Sequence, residues 1–253
     1  MTLYEMMERM IVMDDKIAEL KKIIEQSDNI VFFGGAGVST ESGVPDFRSV
    51  DGLYNQEYDF PPEIILSHTF YRKNTEEFYR FYRNKMLLPG VKPNDAHKAL
   101  AKLEEKGKLK AVITQNIDGL HQMAGSKVVY ELHGSVHRNH CQKCRKFYGF
   151  DDIYKIKGVP KCECGGVIKP DVVLYEEGLD ERTIQFSVQA IAQAEVLIIG
   201  GTSLAVYPAA GLVDYFKGKK LVLINKGRTQ KEQRADMVIN EPIGEVFRQV
   251  VKL

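Results

Sequence analysis

The chain has 253 residues and a formal net charge of +1; 44% of its residues are apolar and 27% are charged. This length suits one large domain, or one domain with a smaller insertion, and the apolar share is enough for a sizeable core. A charge near zero gives no sign of a nucleic-acid or membrane binder, and no apolar run approaches the ~20 residues that cross a bilayer. Residues 1–13 contain no uninterrupted signal-peptide core, so we expect a cytoplasmic protein.

Helices and strands alternate in the first half of the chain, with one interruption. Residues 14–26 have a helical period, and residues 29–33 form an apolar strand that ends in a glycine loop. Residues 45–93 contain no strand-like run and carry aromatic residues at helical spacing, which predicts a helical insertion beside the loop. The next predicted elements are a helix over 94–106 and strands over 111–114 and 128–132.

The second half begins with a cysteine module, over about 136–169, and then returns to alternation. Its later elements are helices over 180–194, from Pro208 and over 243–251, and strands over 196–200, 221–225 and 235–240. This order predicts an α/β fold: a doubly wound parallel, Rossmann-like sheet with a smaller inserted zinc-ribbon and helical module. The sheet domain would comprise residues 1–44, 94–135 and 170–253.

All four cysteines lie in one short stretch, as Cys-x2-Cys followed by Cys-x-Cys. In a chain without an export signal, this clustering is typical of a zinc site and not of disulfides. Four thiolates leave no open coordination position, so the ion would be structural and not catalytic. The predicted zinc ligands are Cys141, Cys144, Cys162 and Cys164.

The first predicted strand ends in the glycine loop 34–37, Gly-Gly-Ala-Gly, which lets a phosphate approach the backbone closely. The Gly-x-Gly-x-x-Gly pattern of ordinary dinucleotide folds fails here, because its sixth position is Thr40. Phe47 and Arg48 follow, and the planar donor fork of an arginine suits a diphosphate. The alternatives are a plain strand–helix turn and a surface salt bridge for Arg48.

Three other predicted strands also end in glycine or polar residues: Gln115-Asn116, Gly200-Gly201-Thr202-Ser203 and Asn225. Ligands of doubly wound sheets bind beyond the carboxyl ends of strands, so we expect these ends to share a nucleotide pocket. Side-chain amides suit ribose hydroxyls and a carboxamide, and Asp118 can accept a hydrogen bond from an amide NH2 group. The alternatives are a helix cap for Asp118 and a packed helix residue for His121; we favour function for Asp118 and structure for His121.

His133 comes directly after a predicted strand and is followed by a glycine. Histidine is the side chain best matched to general-base chemistry near neutral pH, although most single histidines are structural. We therefore take His133 as the candidate base. His137 and His140 adjoin the cysteines but are surplus to a four-thiolate site, so we expect them on the surface of the zinc module.

Residues 169–177 have the pattern of an exposed, extended strand that leaves the zinc module. Pro170 removes one ladder bond, which suits a sheet edge, and a free edge can capture an extended peptide. The alternative is an ordinary buried strand.

Together these motifs resemble the sirtuins, a family of NAD-dependent protein deacylases. The resemblance runs from about residue 28 to the C-terminus. Two features depart from the family pattern: the tight Cys-x-Cys spacing, and Tyr175-Glu176-Glu177, where many members have an aromatic residue followed by Gly-Glu. The resemblance is carried by Gly35 to Ser39, Gly43 to Arg48, Gln115 to Asp118, Leu132 to Gly134, the four cysteines and Gly201 to Ser203.

The resemblance implies that NAD is consumed as a co-substrate and that one zinc ion is structural. The acyl-lysine carbonyl oxygen would attack C1′ of the nicotinamide ribose and expel nicotinamide; His133 would then activate a ribose hydroxyl, leading to O-acyl-ADP-ribose and free lysine. His133 and Asn116 would be the catalytic residues. The implied NAD-binding residues are Gly35, Ala36, Gly37, Thr40, Phe47, Arg48, Gln115, Ile117, Asp118, Gly201, Thr202, Ser203, Asn225 and Ile243.

The resemblance also implies that an acetyl-lysine protein or peptide binds as an extended strand, against Val173, Leu174, Tyr175, Leu204 and Val206. Family members that favour succinyl or malonyl groups carry Tyr-x-x-Arg on a helix of the small domain. The matching stretch here ends in Tyr82, and Arg83 is one position further on, rotated by about 100° around a helix. We therefore expect removal of acetyl groups over acidic ones.

Two other functions stay open. A noncatalytic zinc ribbon with basic neighbours could touch nucleic acid, but it would leave His133 and the strand-end amides unexplained, so we expect no direct nucleic-acid binding. The second open function is that of an ADP-ribosyltransferase on the same fold.

Overall fold

The computed structural model describes residues 3–46, 60–227, 229 and 231–252; Phe47 and Arg48 lie outside this part of the chain. Its helices are α1 (Leu3–Gln26), α2 (Pro62–Ile65), α3 (His68–Lys73), α4 (Thr75–Lys85), α5 (Asp95–Glu105), α6 (Leu120–Ala124), α7 (Phe150–Tyr154), α8 (Glu181–Gln193) and α9 (Ile243–Val250). Its strands are β1 (Ile30–Gly34), β2 (Leu109–Thr114), β3 (Val129–Glu131), β4 (Gly134–Cys141), β5 (Phe147–Tyr148), β6 (Ile168–Val172), β7 (Val196–Gly200), β8 (Lys220–Ile224) and β9 (Met237–Ile239).

Six strands form a parallel sheet in the order β3-β2-β1-β7-β8-β9. The chain runs outward from β1 to β3, then crosses back and runs outward from β7 to β9, so the strand order reverses between β1 and β7. In such sheets this reversal creates a crevice at the carboxyl ends of the strands. Gly34 is level with Thr114 on one side and Gly200 on the other, which places all three strand ends at one edge.

Helices cover both faces of this sheet. β1 and β7 are buried at every residue and read as continuous apolar runs, as parallel strands covered on both faces do. Because side chains alternate along a strand, Phe32 packs with α1, α5 and α9 on one face, whereas Phe33 packs with α8 on the other. The predicted doubly wound parallel sheet is confirmed.

A second, antiparallel sheet has the order β5-β4-β6 and shares a core with α2, α3 and α4. Buried aromatic residues of α4, spaced to lie on one face, pack against Val136, Ile168 and Val172 of this sheet. The predicted helical insertion and the predicted cysteine module therefore fold together as one unit. This unit sits beside the carboxyl-terminal edge of the large sheet, because β4 begins three residues after β3 ends.

Two predicted helices differ in the structure. The helix expected from Pro208 consists of 3-10 turns over Ala209–Tyr215, closed by bonds between residues three apart, such as that from the Gly211 amide to the Pro208 carbonyl. Gly211 in its middle disfavours an α-helix. α1 begins at Leu3 and not near residue 14, because the residues before 14 are mostly good helix formers. No helix in the described part of the chain is long and apolar enough to cross a membrane.

Candidate active site

A cavity of about 1300 Å³ lies over the carboxyl ends of the large sheet, between it and the small sheet. It brings together most residues that the sequence nominated from separate motifs. Among the described residues nominated for catalysis, NAD binding or peptide binding, Leu204 alone does not line it: its side chain is buried in the core on the α8 face of the sheet, so any peptide contact would have to use its backbone. The nominated residues that line the cavity are Gly35, Ala36, Gly37, Thr40, Gln115, Asn116, Ile117, Asp118, His133, Val173, Leu174, Tyr175, Gly201, Thr202, Ser203, Val206, Asn225 and Ile243.

The loops that follow β1 and β7 touch backbone to backbone. The Gly37 amide donates to the Gly201 carbonyl at 2.7 Å, and a Cβ on Gly37 would lie 2.8 Å from the Gly201 Cα. Thr40 begins a second 3-10 turn and donates its hydroxyl to the Gly37 carbonyl, at 3.0 Å. This explains why the sixth position of the fingerprint is not glycine: the chain turns again at Thr40 instead of entering a long helix.

Ile243 and Asn225 close the far side of the cavity. Ile243 begins α9, and a Cβ on Gly200 would lie 2.2 Å from its Cδ1, so the end of β7 must be glycine for α9 to pack there. The Asn225 side chain donates to the Gly227 carbonyl at 2.7 Å, which leaves its own oxygen as the group available to a ribose.

The loop after β2 carries a network of buried polar side chains. Asn116 Nδ2 donates to Ser39 Oγ at 2.9 Å, and Ser39 Oγ donates to Asp118 Oδ2 at 2.7 Å. The Leu120 amide donates to Asp118 Oδ1 at 2.9 Å, so Asp118 caps α6 as well as lining the cavity. Gln115 Nε2 donates to Thr202 Oγ1 at 3.1 Å, which ties this loop to the one after β7.

Ser39 belongs to the glycine-loop motif, but no role in the site was predicted for it from the sequence. It is fully buried and connects Asn116 with Asp118, yet its sequence signal is only a hydroxyl residue just after the glycine loop. Burial raises the pKa of Asp118, and the hydrogen bonds from Ser39 and Leu120 together with the nearby His137 oppose that rise. These donors keep the carboxylate in place as a hydrogen-bond acceptor.

His133 lies in the turn between β3 and β4. Its Nδ1 is 2.9 Å from the Gln115 carbonyl, which can only accept, so Nδ1 carries the proton and Nε2 is the unprotonated, basic nitrogen. Burial lowers the pKa of His133, against the opposing effect of the Gln115 carbonyl, so the ring is neutral at pH 7. The next residue must be glycine, because Gly134 has φ +75° and a Cβ there would lie 1.9 Å from the Asp171 carbonyl oxygen.

The other histidines fall into different classes. His121 is buried between Phe32 and His97, as expected of a packed residue. His140 packs on Phe147 in the small sheet. The expectation for His137 is wrong: it does not lie on the zinc-module surface but lines the cavity, with Nε2 2.9 Å from the Asp118 carbonyl oxygen.

The four cysteine Sγ atoms lie within 4.8 Å of one another, at the end of the small sheet. A donor set of four thiolates at this spacing fits a tetrahedral Zn²⁺ and leaves no position for a reacting water. Gly166 fits the tight Cys-x-Cys half, since a Cβ there would lie 2.6 Å from the Cys141 Sγ. Cys141 is the last residue of β4 and Gly134, next to His133, is the first; their partners on β6, Ile168 and Val172, are four residues apart, so roughly 13 Å separates the two ends of β4.

The segment after β6 is less extended than the sequence predicted. β6 is an edge strand of the small sheet, but it ends at Val172, and a turn closes from the Glu177 amide to the Leu174 carbonyl. Tyr175 forms a bridge with Ser67. Glu176, where many sirtuins have glycine, takes a left-handed φ of +75°, and its carboxylate accepts from the Thr69 amide at 2.9 Å.

Comparisons with known proteins agree with this geometry. The sequence profile of the Sir2 family matches residues 35–208. NAD-dependent protein deacetylases of Clostridium perfringens and Fusobacterium nucleatum are 63% and 46% identical over 94% of this chain, and the matches cover 100% and 92% of those proteins.

Solved structures give the same result. A Sir2 enzyme with a deacetylated p53 peptide and 3′-O-acetyl ADP-ribose has a TM-score of 0.85 and 40% identity, covering 93% of this chain and 97% of that one. Another, of Sir2 with a p53 peptide and NAD+, has a TM-score of 0.80 and 40% identity at the same coverage. The fold, the cysteine cluster and these matches identify the chain as a member of the Sir2 family.

Proposed function

We propose that this protein removes acetyl groups from protein lysines with NAD as co-substrate, giving nicotinamide, O-acetyl-ADP-ribose and free lysine. The observation that carries the proposal is the neutral His133 ring, whose Nδ1 proton is committed to the Gln115 carbonyl. It faces the same cavity as the buried Asn116 and the partly buried Asp118. A free, neutral imidazole nitrogen is suited to take a proton from a ribose hydroxyl.

The loops after β1 and β7 support binding of the diphosphate and ribose parts of NAD. Their backbones lie in contact through the Gly35 and Gly37 amides, which donate to the Gly200 and Gly201 carbonyls, and Ala36 between them adds only a methyl group to this wall of the cavity, so a phosphate could approach the backbone closely. Gln115 and Asn116 place neutral amides at the adjacent strand end. Thr202 and Ser203 line the cavity at the end of β7, on the other side of β1 from Gln115.

Ile117 and Asp118 would hold the nicotinamide carboxamide. The Asp118 carboxylate accepts bonds from Ser39 and Leu120 and has lone pairs left for an amide NH2 group. Ile117 adds an apolar wall. A carboxamide bound in this way would fix the ring while its bond to the ribose breaks. Asn116, anchored by Ser39, would orient the ribose beside His133.

An extended peptide would lie between Val173–Tyr175 and Val206, with its acyl-lysine directed into the cavity. The Val173 amide donates to the His133 carbonyl at 3.0 Å, so the segment proposed to bind the peptide is bonded to the turn that contains His133. Tyr175 and Tyr207 are partly exposed and line the cavity mouth.

The residues of the inner cavity wall favour a small neutral acyl group on the substrate lysine. Tyr82 lines it at the place where the acid-selective pattern has arginine, whereas Arg83 donates to the Gly158 carbonyl in the zinc-binding unit. We therefore expect a higher kcat/KM for acetyl-lysine than for succinyl-lysine peptides. Kinetics on matched peptides would decide this, and a preference for succinyl-lysine would contradict it.

The decisive experiment is mass spectrometry of an acetyl-lysine peptide with and without NAD, using the wild type and His133→Ala. We expect NAD-dependent loss of the acetyl group in the wild type and a loss of rate of at least about a hundredfold in the variant, because a general base contributes about that much or more. His140→Ala is the matched control, since His140 lies outside the cavity. Activity without NAD, or full activity in His133→Ala, would overturn the mechanism.

Protein ADP-ribosyl transfer is the competing reaction on this fold. NAD labelled in its ADP-ribose part separates the two, because transfer leaves label on protein and deacetylation leaves it on a small product. We expect label on the small product. We also expect a cytoplasmic protein without direct nucleic-acid binding, which fractionation and a gel-shift assay would test.

A further inference from the structure

Strand β4 contains a bulge of three residues beside the catalytic turn. Ser135 is level with Asp171 on β6, and the next paired residue, Asn139, is level with the adjacent Pro170. Residues 136–138 therefore have no backbone pairing with β6. Their backbone and side chains reach the loop after β2 and the end of β3.

His137 is the member of this bulge that contacts Asp118 in the loop after β2. Its Nε2 lies 2.9 Å from the Asp118 carbonyl oxygen, which can only accept, so Nε2 carries the proton and donates. The Val136 amide donates to the Ile117 carbonyl at 3.0 Å, immediately before it. Phe150 packs beside the His137 ring, with the ring centroids 5.3 Å apart.

Gly119 is shaped for this contact. Its φ is +72°, and a Cβ at this position would lie 2.6 Å from the His137 Cδ2. Any side chain at 119 would push the ring away from the loop. Glycine at 119 therefore lets the His137 imidazole reach the Asp118 carbonyl.

Asp118 is consequently fixed from two sides. The large-sheet side holds its carboxylate, through Ser39 and the Leu120 amide. The small-sheet side holds its main-chain carbonyl, through His137. We infer that His137 is a positioning residue: by donating to the Asp118 carbonyl it fixes the carboxylate that receives the carboxamide of nicotinamide.

This inference rests on the proposed function, since it assumes that Asp118 binds the carboxamide. It predicts an effect on nicotinamide that is absent for ADP-ribose, which lacks that group. In His137→Ala the inhibition constant of nicotinamide should rise about tenfold, the effect of one lost hydrogen bond, while the Kd of ADP-ribose measured by calorimetry stays unchanged.

Two matched variants separate the donor from the bulk of the ring. The amide nitrogen of glutamine reaches about as far from the backbone as Nε2, so His137→Gln should stay within about twofold of the wild type. His140→Ala removes a second histidine of the same strand that does not line the cavity, and should leave the nicotinamide constant unchanged.

A second readout needs no activity. The Leu120 amide is protected by Asp118 Oδ1, so its hydrogen exchange should accelerate in His137→Ala and remain slow in His137→Gln. The Asn116 amide, bonded to Thr114 Oγ1, is the internal control and should not change.

The possible outcomes decide the inference. An unchanged nicotinamide constant and unchanged Leu120 exchange in His137→Ala would overturn it. An equal loss of ADP-ribose affinity, or a glutamine variant as impaired as the alanine variant, would also overturn it, because neither follows from one lost donor. If the wild type does not deacetylate at all, the proposed function fails, whereas the exchange of Leu120 still tests the contact.

Discussion

Tyr82 carries a buried hydroxyl that has no hydrogen-bond partner among the described residues. Its ring is fully buried and stacks on Phe78 at an interplanar angle of 12°. A buried polar group without a partner destabilises the folded state by its lost hydration, so Tyr82→Phe should increase the free energy of unfolding by about 1 kcal/mol and the Tm by roughly 2–4 °C.

Tyr79 provides the opposite case on the same helix. Its hydroxyl donates to the Ile168 carbonyl at 2.5 Å, so Tyr79→Phe leaves that buried carbonyl without a donor and should destabilise by about 1–2 kcal/mol. Calorimetry on Tyr82→Phe and Tyr79→Phe measures the change in Tm and in the free energy of unfolding for each. Equal shifts in the same direction would show that the Tyr82 hydroxyl has a partner in solution.

His97 should make stability depend on pH. Burial lowers its pKa from 6.5 to about 4. The unfolded chain takes up a proton below pH 6.5 while the folded chain does not, so this contribution is complete above pH 6.5 and is lost as the pH falls towards 4. Between pH 7.5 and 5.5 the loss is about 1.4 kcal/mol.

Urea unfolding at these two pH values, with excess zinc, tests the His97 contribution. His97→Asn is the suitable variant, because an asparagine amide can replace Nδ1 in the contact with Asn94. The difference in unfolding free energy between the two pH values should be smaller in the variant by about 1.4 kcal/mol. An identical difference in both proteins would contradict a neutral, buried His97.

At the scale of single residues, the strand end before His133 predicted that His133 lies at the cavity, whereas the prediction for His137 was wrong. Both histidines are near glycines and both lie in or next to β4. What separates His137 from His140 is the bulge over 136–138, and a bulge depends on the pairing of β4 with the distant β6. The residues around 136–138 alone therefore do not predict the bulge.

At the scale of elements, the central strands could be predicted from the sequence, whereas the turn after β6 could not. β1 and β7 are short apolar runs that end in glycine, so the sequence predicts their position and their carboxyl ends. The strand-end argument then brought most of the nominated residues to one cavity. The turn after β6 was missed, because it depends on contacts of Tyr175 and Glu176 with Ser67 and Thr69, about a hundred positions away in the sequence.

Glu176 combines backbone strain with a helix cap, so its substitutions should separate the two. The left-handed φ of +75° is unfavourable for a residue with a Cβ by about 1 kcal/mol, and the bond to the Thr69 amide at the start of α3 returns about the same amount. Glu176→Gly loses the cap but relieves the strain, and should be near neutral. Glu176→Ala loses the cap and keeps the strain, and should destabilise by about 1 kcal/mol.

Urea unfolding of the two Glu176 variants measures the backbone strain and the loss of the hydrogen bond to Thr69. The KM for the peptide is a second measurement, because the turn lies beside Val173–Tyr175. Should the alanine and glycine variants prove equally stable, the left-handed conformation is not a source of strain here.

At the scale of the whole molecule, Arg138 joins the two sheets across the turn that carries His133. Its Nη1 is 2.5 Å from Glu131 Oε2 on β3 of the large sheet, and its Nε is 2.9 Å from Asp171 Oδ2 on β6 of the small one. The Glu131 side chain is only 7% exposed, whereas that of Asp171 is 52% exposed. The two ion pairs should therefore differ in their importance for stability.

Arg138→Met should destabilise by about 2–3 kcal/mol, because it leaves the buried Glu131 carboxylate without a cation. Asp171→Asn should change the stability by less than about 1 kcal/mol, since an exposed ion pair contributes little. Adding Glu131→Gln to Arg138→Met removes the unpaired charge and should restore most of the loss, and denaturant unfolding of the four proteins in this double-mutant cycle measures the coupling. If Glu131→Gln fails to restore stability, the ion pair is not what joins the sheets; if it succeeds while kcat stays low, Arg138 also fixes the turn that presents His133.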